Sequence, residues 1–596
     1  MITDRFKLLR NQDINKVFNK RKVIYIWRKI VKKQLRDTLI QDLYDYYDFN
    51  YFIEDKAVTI ISDIKKGTYR SQTPLVYKIE KKYGVCRHMI LPQPMDALVL
   101  QALTEYLYPI IKKKEPSKNA FYSRNRSFNK KPHEVVDFDS FSWLENWKRM
   151  QEEIFRFNQH KKYIVVTDLT NYFDSIDLQD LRHFISTNFN VNETTVDLIF
   201  RIIVDIAWIP DYLPFTPRGL PTINIEAIRL LAHAYLFEID KILKKKANNN
   251  FARWMDDITI GCDSIKEATE IISSISDVLK SRGLALNLSK TNIFNAIDGQ
   301  NQFCIKENQY LDMIDSKIKN KENINIRELK KEFVKQLKFD KRKSWDKIVK
   351  RYFTVFAKIR DDSIIRYAHT LYDKYPGLRP NIINYISCLG CKIKTRNEIL
   401  ELLSSHCSYD SISKFLIIQA VVNWEIKINK QSQEFITGVE KLMGKISTDM
   451  DFYCQLYFRN KYDTQVKLRN FIEKFENKWK GSSFLRRQVA SVLPRLWISF
   501  PEIVDRYFTL LLASGDPNVM TLITSIQYLM NLDKLDKLLT PYLFPQKERK
   551  FQLKKFNVLC TVLSSNKIRG NPNLKQKIIE KSLDEYYMRQ LRLYGI

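Results

Sequence analysis

The sequence predicts an α+β chain: a mixed region holding a few short strands, followed by a long all-α half. Three observations predict it. Strand signals are confined to stretches between residues 75 and 294 and fade after about residue 305. Glycine is scarce, at 14 against 18 prolines, which disfavours a loop-rich all-β protein. Hydrophobic residues make up 44% and aromatics 13% of the 596 residues, which excludes disorder and suits roughly two to four packed domains.

Residues 1–64 read as an N-terminal helical segment, with two or three helices over 13–66 and Leu35, Leu39 and Leu43 on one apolar stripe. LVYKIEKKYGVCRHMIL, 75–91, places two short extended runs around a Tyr83-Gly84 turn, the pattern of a β-hairpin. Pro94 to Ile111 returns to a helical period, and 115–142 is polar and loop-like. In KKYIVVTDLTNYFDSID, 161–177, the β-branched run Ile164, Val165 and Val166 reads as a buried strand that delivers Asp168 at its end. FARWMDDITIGC, 251–262, reads as two half-strands with Asp256 and Asp257 at the tip. A helix pattern over 265–281 and a strand candidate, LALNLSKTNIF, complete a mixed region of 65–302.

The lysine-rich stretch 306–351 reads as a solvated helical connector, which sets 303–350 apart from an α-helical domain of 351–596. There, helices of roughly 12–18 residues follow one another without a strict period, as in an irregular solenoid or bundle. Thr395 with Glu398 resembles a capping box, Pro501 and Pro517 stand where a first helical residue would, and Asp516 is placed to cap the second of these helices.

Charge is uneven along the chain. The formal net charge is +31, divided as +13 over 1–150, −4 over 151–300 and +22 over 301–596. Eight cysteines at irregular spacings form no disulfide framework. MITDRFKLLRNQD has no apolar h-region and no run of about 18 apolar residues occurs, so neither a secretory leader nor a membrane span is expected and a cytoplasmic location is the default. Cys388 and Cys391, with His406 and Cys407 downstream, are a weak zinc pattern, because a His-Cys neighbour pair makes a poor fourth corner. The lysine runs 112–114 and 244–246 read as solvated faces with some capacity to hold a nucleic acid backbone.

An adjacent Asp256-Asp257 pair on a tight turn, beside Asp168 ending a neighbouring strand, can hold two magnesium ions about 4 Å apart. Oxygen ligands suit magnesium, with manganese as an alternative, and the arrangement suits nucleotidyl transfer. The order and spacing of the motifs resemble the fingers and palm of a reverse transcriptase over roughly residues 65–300. KKYGVCRHMILPQPMDALVLQAL looks like the fingers hairpin and following helix, DLTNYFDSID like motif A, RGLPTINIEAIRLLAHAYLFEID like motif B, WMDD like motif C and RGLALNLSKTNIF like motif D. The resemblance implies triphosphate-binding roles for Lys81 and Arg87 and metal binding by Asp168, the Leu169 carbonyl, Asp256 and Asp257. It makes Phe173 a steric gate against a ribose 2′-hydroxyl and Lys290 a proton donor to departing pyrophosphate; Asp174 and Asp177 are left solvated or structural.

Two departures stand out. Motif C opens with Trp254 where tyrosine is usual, and Pro221 is followed by Thr222 and Ile223 where the family has Gln-Gly. No primer grip and no ribonuclease H pattern is found. A palm with an altered motif B before a large helical half resembles the abortive-infection reverse transcriptases, and among them the AbiK-like branch of phage-defence polymerases. The resemblance implies a right-hand fingers and palm, a HEAT-like repeat domain and a homo-oligomer. It further implies untemplated synthesis from dNTPs, primed on the protein's own tyrosine, so that the single-stranded DNA product is covalently attached. Within LYDYYDFNYF, 43–52, Tyr46 and Tyr47 fall on the stripe of Leu43, while Tyr44 lies off it and is the candidate primer. The basic flanks would line the path of that polyanion. Two alternatives stand beside this reading: a conventional RNA-templated enzyme copying a non-coding RNA, and a non-catalytic helical scaffold that binds nucleic acid.

Overall fold

The structure is a computed structural model that describes residues 2–124, 143–209, 218–222, 225–340, 342–405, 410–535, 537–545, 551–581 and 584–596. It is a mostly helical α+β chain, and among the described residues the strands all lie between residues 75 and 295. β1 (Leu75–Lys82) and β2 (Val85–Leu91) form the expected antiparallel hairpin. Tyr83 and Gly84 both take positive φ, 51° and 77°, the turn geometry that matches the right-handed twist of paired strands. The register shifts between Glu80 and Lys82, leaving Lys81 at a bulge.

The palm-like sheet has five strands in the order β3-β5-β6-β4-β7. They are β3 (Ala120–Phe121), β4 (Tyr163–Thr167), β5 (Phe251–Trp254), β6 (Asp257–Cys262) and β7 (Asn292–Asn295). Only β3 and β5 run parallel. β4 is an inner strand, between β6 and β7, and is covered on both faces, which explains its unbroken apolar run. Ile164 and Val166 pack with Ile154 and Phe157 of the Trp143–His160 helix, while Val165 points into the main core. β6 presses on the same helix at Gly261, where an added Cβ would sit 2.8 Å from Phe157 Cδ2.

Four expectations are corrected. The strand expected over LALNLSKTNIF is split: Leu286 bridges Leu169 alone, and β7 starts only at Asn292. Between them the Asn287 carbonyl collects the N–H groups of Lys290 and Thr291 and the Thr291 hydroxyl, a local turn that outcompetes the ladder. The Leu35-Leu39-Leu43 stripe does not exist, because the helix ends at Arg36. The Thr38 hydroxyl lies within reach of the Leu35 and Ile40 carbonyls, and Asp42 Oδ1 accepts the N–H groups of Tyr44 and Tyr46, folding 37–46 into a loop.

The stretch 306–351 is not a solvated connector. Leu311, Ile314, Leu329, Phe333 and Trp345 are buried, while Lys306, Lys319, Lys321, Lys331, Lys335 and Lys338 are exposed. Thr395 and Glu398 form no capping box, since the helix already begins at Ile393 and Thr395 is buried inside it, accepting the Lys392 N–H. The capping box present pairs Thr448 with Asp451. Pro501, Pro517 and the Asp516 cap stand as expected.

Helices of the C-terminal half stack in two rows. Trp345–Ile359, Arg379–Leu389, Ser411–Asn423 and Asp449–Tyr462 lie side by side in one, and Ala368–Lys374, Ile393–Ser405 and Lys430–Leu442 in the other. The first row continues through Ser483–Val492, Pro517–Met530 and Leu553–Leu563. Among the described residues, no helix is long and apolar enough to cross a membrane.

Candidate active site

β4 ends at Thr167, so Asp168 emerges at the rim of the sheet, and the β5–β6 turn brings Asp256 and Asp257 beside it. Trp254 pairs with Asp257 across a two-residue turn, Met255-Asp256, in which Met255 takes φ 55°. Arg253 holds this turn from below. Its fully buried guanidinium donates to both oxygens of Asp240, at 2.6 Å each, and to the Met255 carbonyl at 2.9 Å. The sequence reading missed this pair; an arginine inside the apolar run FARW was the available signal.

Asp256 feels the other two carboxylates. Burial pushes the Asp256 carboxyl up, the Asp257 and Asp168 charges add to the rise, and Arg87 opposes it. Lys290 Nζ donates to Asp168 Oδ2 at 2.5 Å, and Lys343 Nζ stands 3.6 Å from Asp257 Oδ1. Lys343, beyond the five motifs, is a third residue the sequence reading missed; nothing local in the sequence points to it. Partial burial and then the Arg87 charge pull the Lys81 ammonium down, while Asp174 and Asp256 act the other way, so the basic hairpin lies within electrostatic reach of the acidic rim.

Backbone contacts set the remaining candidates. The Asp168 carbonyl accepts the Asn287 N–H, and the Thr170 N–H donates to Ala285, fixing the chain on both sides of buried Leu169. Phe173 is half-buried against Tyr172, and its carbonyl accepts the Leu220 N–H at 2.8 Å. Gly219 needs its φ of 98° to bring its own N–H to the Ile176 carbonyl. Pro221 and Thr222 follow, and the Thr222 carbonyl accepts the Ile90 N–H of β2 at 3.0 Å, tying the altered motif to the hairpin. Ile223 lies outside the described residues. Asp174 is exposed and Asp177 caps the Leu178–Asn188 helix, a structural role.

Tyr44 is corrected. It is 0% exposed, its hydroxyl donates to Thr561 Oγ1 at 3.2 Å, and burial raises its pKa far above the ordinary value. Without the expected helical stripe, nothing sets Tyr44 apart from the core.

As placed, no three His, Cys, Asp or Glu side chains among the described residues are gathered to hold a metal ion. Lys290 and Lys343 take up oxygens of two of the three aspartates. The donor set nevertheless fits a divalent cation, because Asp168 Oδ1 is buried without a hydrogen-bond partner and Asp256 is strained by its two acidic neighbours. At the weak zinc pattern, Cys388 is exposed, Cys391 Sγ accepts from Arg396 Nε at 3.0 Å, and His406 and Cys407 lie outside the described residues.

Residues 79–339 match the family described as "Reverse transcriptase (RNA-dependent DNA polymerase)", so this stretch is a reverse-transcriptase domain, a nucleotidyltransferase of polymerase type. No curated protein matches the chain. Among solved structures, telomerase from Candida tropicalis in complex with the TWJ fragment of telomeric RNA is similar at 11% identity, covering 66% of this chain and 68% of that one, with a TM-score of 0.26. The corresponding telomerase from Candida albicans is similar at 12% identity, covering 77% and 68%, with a TM-score of 0.27.

Proposed function

We propose that the chain is a reverse-transcriptase-related DNA polymerase of antiviral abortive infection that adds dNTPs without a template and primes on its own tyrosine. The observation that carries the polymerase part is the nearness of Asp168, Asp256 and Asp257 at neighbouring strand ends, within electrostatic reach of the basic hairpin. Magnesium or manganese held by these carboxylates and the Leu169 carbonyl would supply charge stabilisation for the attacking hydroxyl and the departing pyrophosphate. Lys81 and Arg87 bind the triphosphate, and Phe173 blocks a 2′-hydroxyl. Lys290, released from Asp168, holds a proton for the leaving group.

Untemplated synthesis draws support from the altered motif B, where Thr222 and Ile223 replace Gln-Gly and the Thr222 carbonyl is bonded to β2. Buried Tyr44 is not assigned the priming role; mapping the nucleotide-linked peptide by mass spectrometry identifies the tyrosine that has it. The two stacked rows of helices support a HEAT-like C-terminal half. A homo-oligomer and a cytoplasmic location complete the reading.

Pure protein incubated with labelled dNTPs and magnesium, without template or primer, should yield a labelled, protein-bound product. Asp256→Asn should lower that yield by at least about a thousandfold, since one carboxylate of the cluster loses its charge. Absence of any product from the wild-type chain sinks the proposal. A second reading, RNA-templated synthesis on a bound non-coding RNA, is favoured by the RNA-dependent family that 79–339 matches. Sequencing decides between them: a product complementary to a co-purifying RNA selects the templated reading.

A further inference from the structure

The hairpin that carries Lys81 and Arg87 is held from behind by the helical half of the chain. Ile79 pairs with Arg87 and Glu80 with Cys86, so Arg87 and Glu80 project from opposite faces of the hairpin. Arg87 and Lys81 interact electrostatically with the acidic rim. Glu80 turns away from it, towards the Ser411–Asn423 helix and the Pro376–Leu378 turn, which both pack on β1.

There Glu80 meets Arg379. Arg379 Nη1 donates to Glu80 Oε2 at 2.7 Å, and both side chains are only 8% exposed. Glu80 Oε1 accepts the Gly84 N–H at 2.8 Å, which closes the hairpin turn next to Lys81. Arg379 is itself fixed: Nε donates to the Tyr372 carbonyl at 3.0 Å, and Nη1 lies 3.4 Å from Asp410 Oδ2. Asp410 Oδ1 in turn caps the Ser411–Asn423 helix by accepting the N–H groups of Ile412 and Ser413. A continuous polar chain therefore runs from a helix end in the C-terminal half to the turn that sets Lys81.

We propose that Arg379 is a positioning residue for nucleoside triphosphate binding: through Glu80 it holds the hairpin turn, and with it Lys81 and Arg87, in register with the acidic rim. The helical half thereby sets the affinity of the polymerase half for its substrate. This inference rests on the polymerase reading. A buried pair suits the task because loss of either partner strands a charge and frees the turn.

The test compares the full chain with Glu80→Gln, Arg379→Met and the double variant. Glu80→Gln keeps an acceptor for the Gly84 N–H and removes the charge, so it carries the test if Arg379→Met fails to fold. The KM for dNTP should rise about tenfold while kcat changes by less than about threefold, and the double variant should be no worse than the worse single one. Amide hydrogen exchange over 75–91 should speed up in each variant. Wild-type KM in a folded single variant, or unchanged exchange over 75–91, overturns the inference. If the wild-type chain incorporates no nucleotide, the polymerase reading falls instead, and hydrogen exchange alone judges whether Arg379 holds the hairpin.

Discussion

Arg253 shows how much of the acidic rim depends on one buried side chain. Met255 is held in a left-handed conformation, which costs a non-glycine residue about 1 kcal/mol. The guanidinium contact to its carbonyl offsets that cost and aims Asp256 at the rim. Arg253→Met leaves Asp240 buried without its cation, so we expect a loss of about 3–5 kcal/mol, seen as a lower thermal unfolding midpoint. In the fraction that folds, nucleotide incorporation should fall by at least about tenfold as the turn relaxes. An unchanged midpoint together with full activity would remove Arg253 from the site. That Asp168 follows a strand and that Asp256 and Asp257 lie at a hairpin tip was legible in the short apolar runs beside them, a local pattern. Asp240 was not, because its partner lies across a helix-to-strand crossing that no local pattern encodes.

At the scale of elements, what was legible followed from short-range chemistry. The hairpin was visible in its turn and its extended runs, and β4 in its β-branched triplet. Pro501, Pro517 and Asp516 announced their helices. Three of the four misreadings arose where local hydrogen bonds compete with regular structure, at Thr38 and Asp42, at the Asn287 carbonyl, and at Thr395; in the fourth, 306–351, the lysines masked a buried apolar face. The helix start beside Thr395 has a consequence for stability. Because the helix begins at Ile393, Glu398 sits in its interior instead of at a solvated first turn. Burial, and then the Glu401 charge, push its carboxyl up to about 7, with His369 opposing. A carboxyl raised on folding contributes stability that is complete below its ordinary value of 4.5 and is lost as pH rises through about 7. Glu398→Gln, which mimics the protonated form, should therefore be neutral near pH 5 and stabilising by about 1–2 kcal/mol near pH 8.5, after allowance for solvent screening. Melting curves at the two pH values check it; equal effects at both would show that Glu398 does not titrate in this range.

At the scale of the molecule, the chain closes on itself. The loop that replaces the expected stripe is clasped by helices more than 400 residues away, and no reading of local pattern could place it there. Arg487 donates to Asp42 Oδ2 at 2.8 Å and to Asp48 Oδ1 at 2.8 Å, with all three side chains buried. Gln488 accepts the Leu43 N–H, Asn557 donates to the Leu43 carbonyl, and Tyr453 donates to the Gln41 carbonyl. Burial alone would raise the Asp42 carboxyl, but the Arg487 charge and its hydrogen bonds hold it below the ordinary value. A depressed carboxyl contributes stability present above its unfolded value of 3.8 and lost as pH falls through its folded one, so the clasp should loosen in acid. Arg487→Met strands two carboxylates and should cost about 3–5 kcal/mol, while adding Asp42→Asn and Asp48→Asn should recover part of that loss. Limited proteolysis reads the consequence directly: cleavage within 37–46 should come first in Arg487→Met and late in the wild type and the triple variant. If Arg487→Met resists protease and melts like the wild type, the neutral contacts of Gln488, Asn557 and Tyr453 suffice, and the ion pairs do not close the chain.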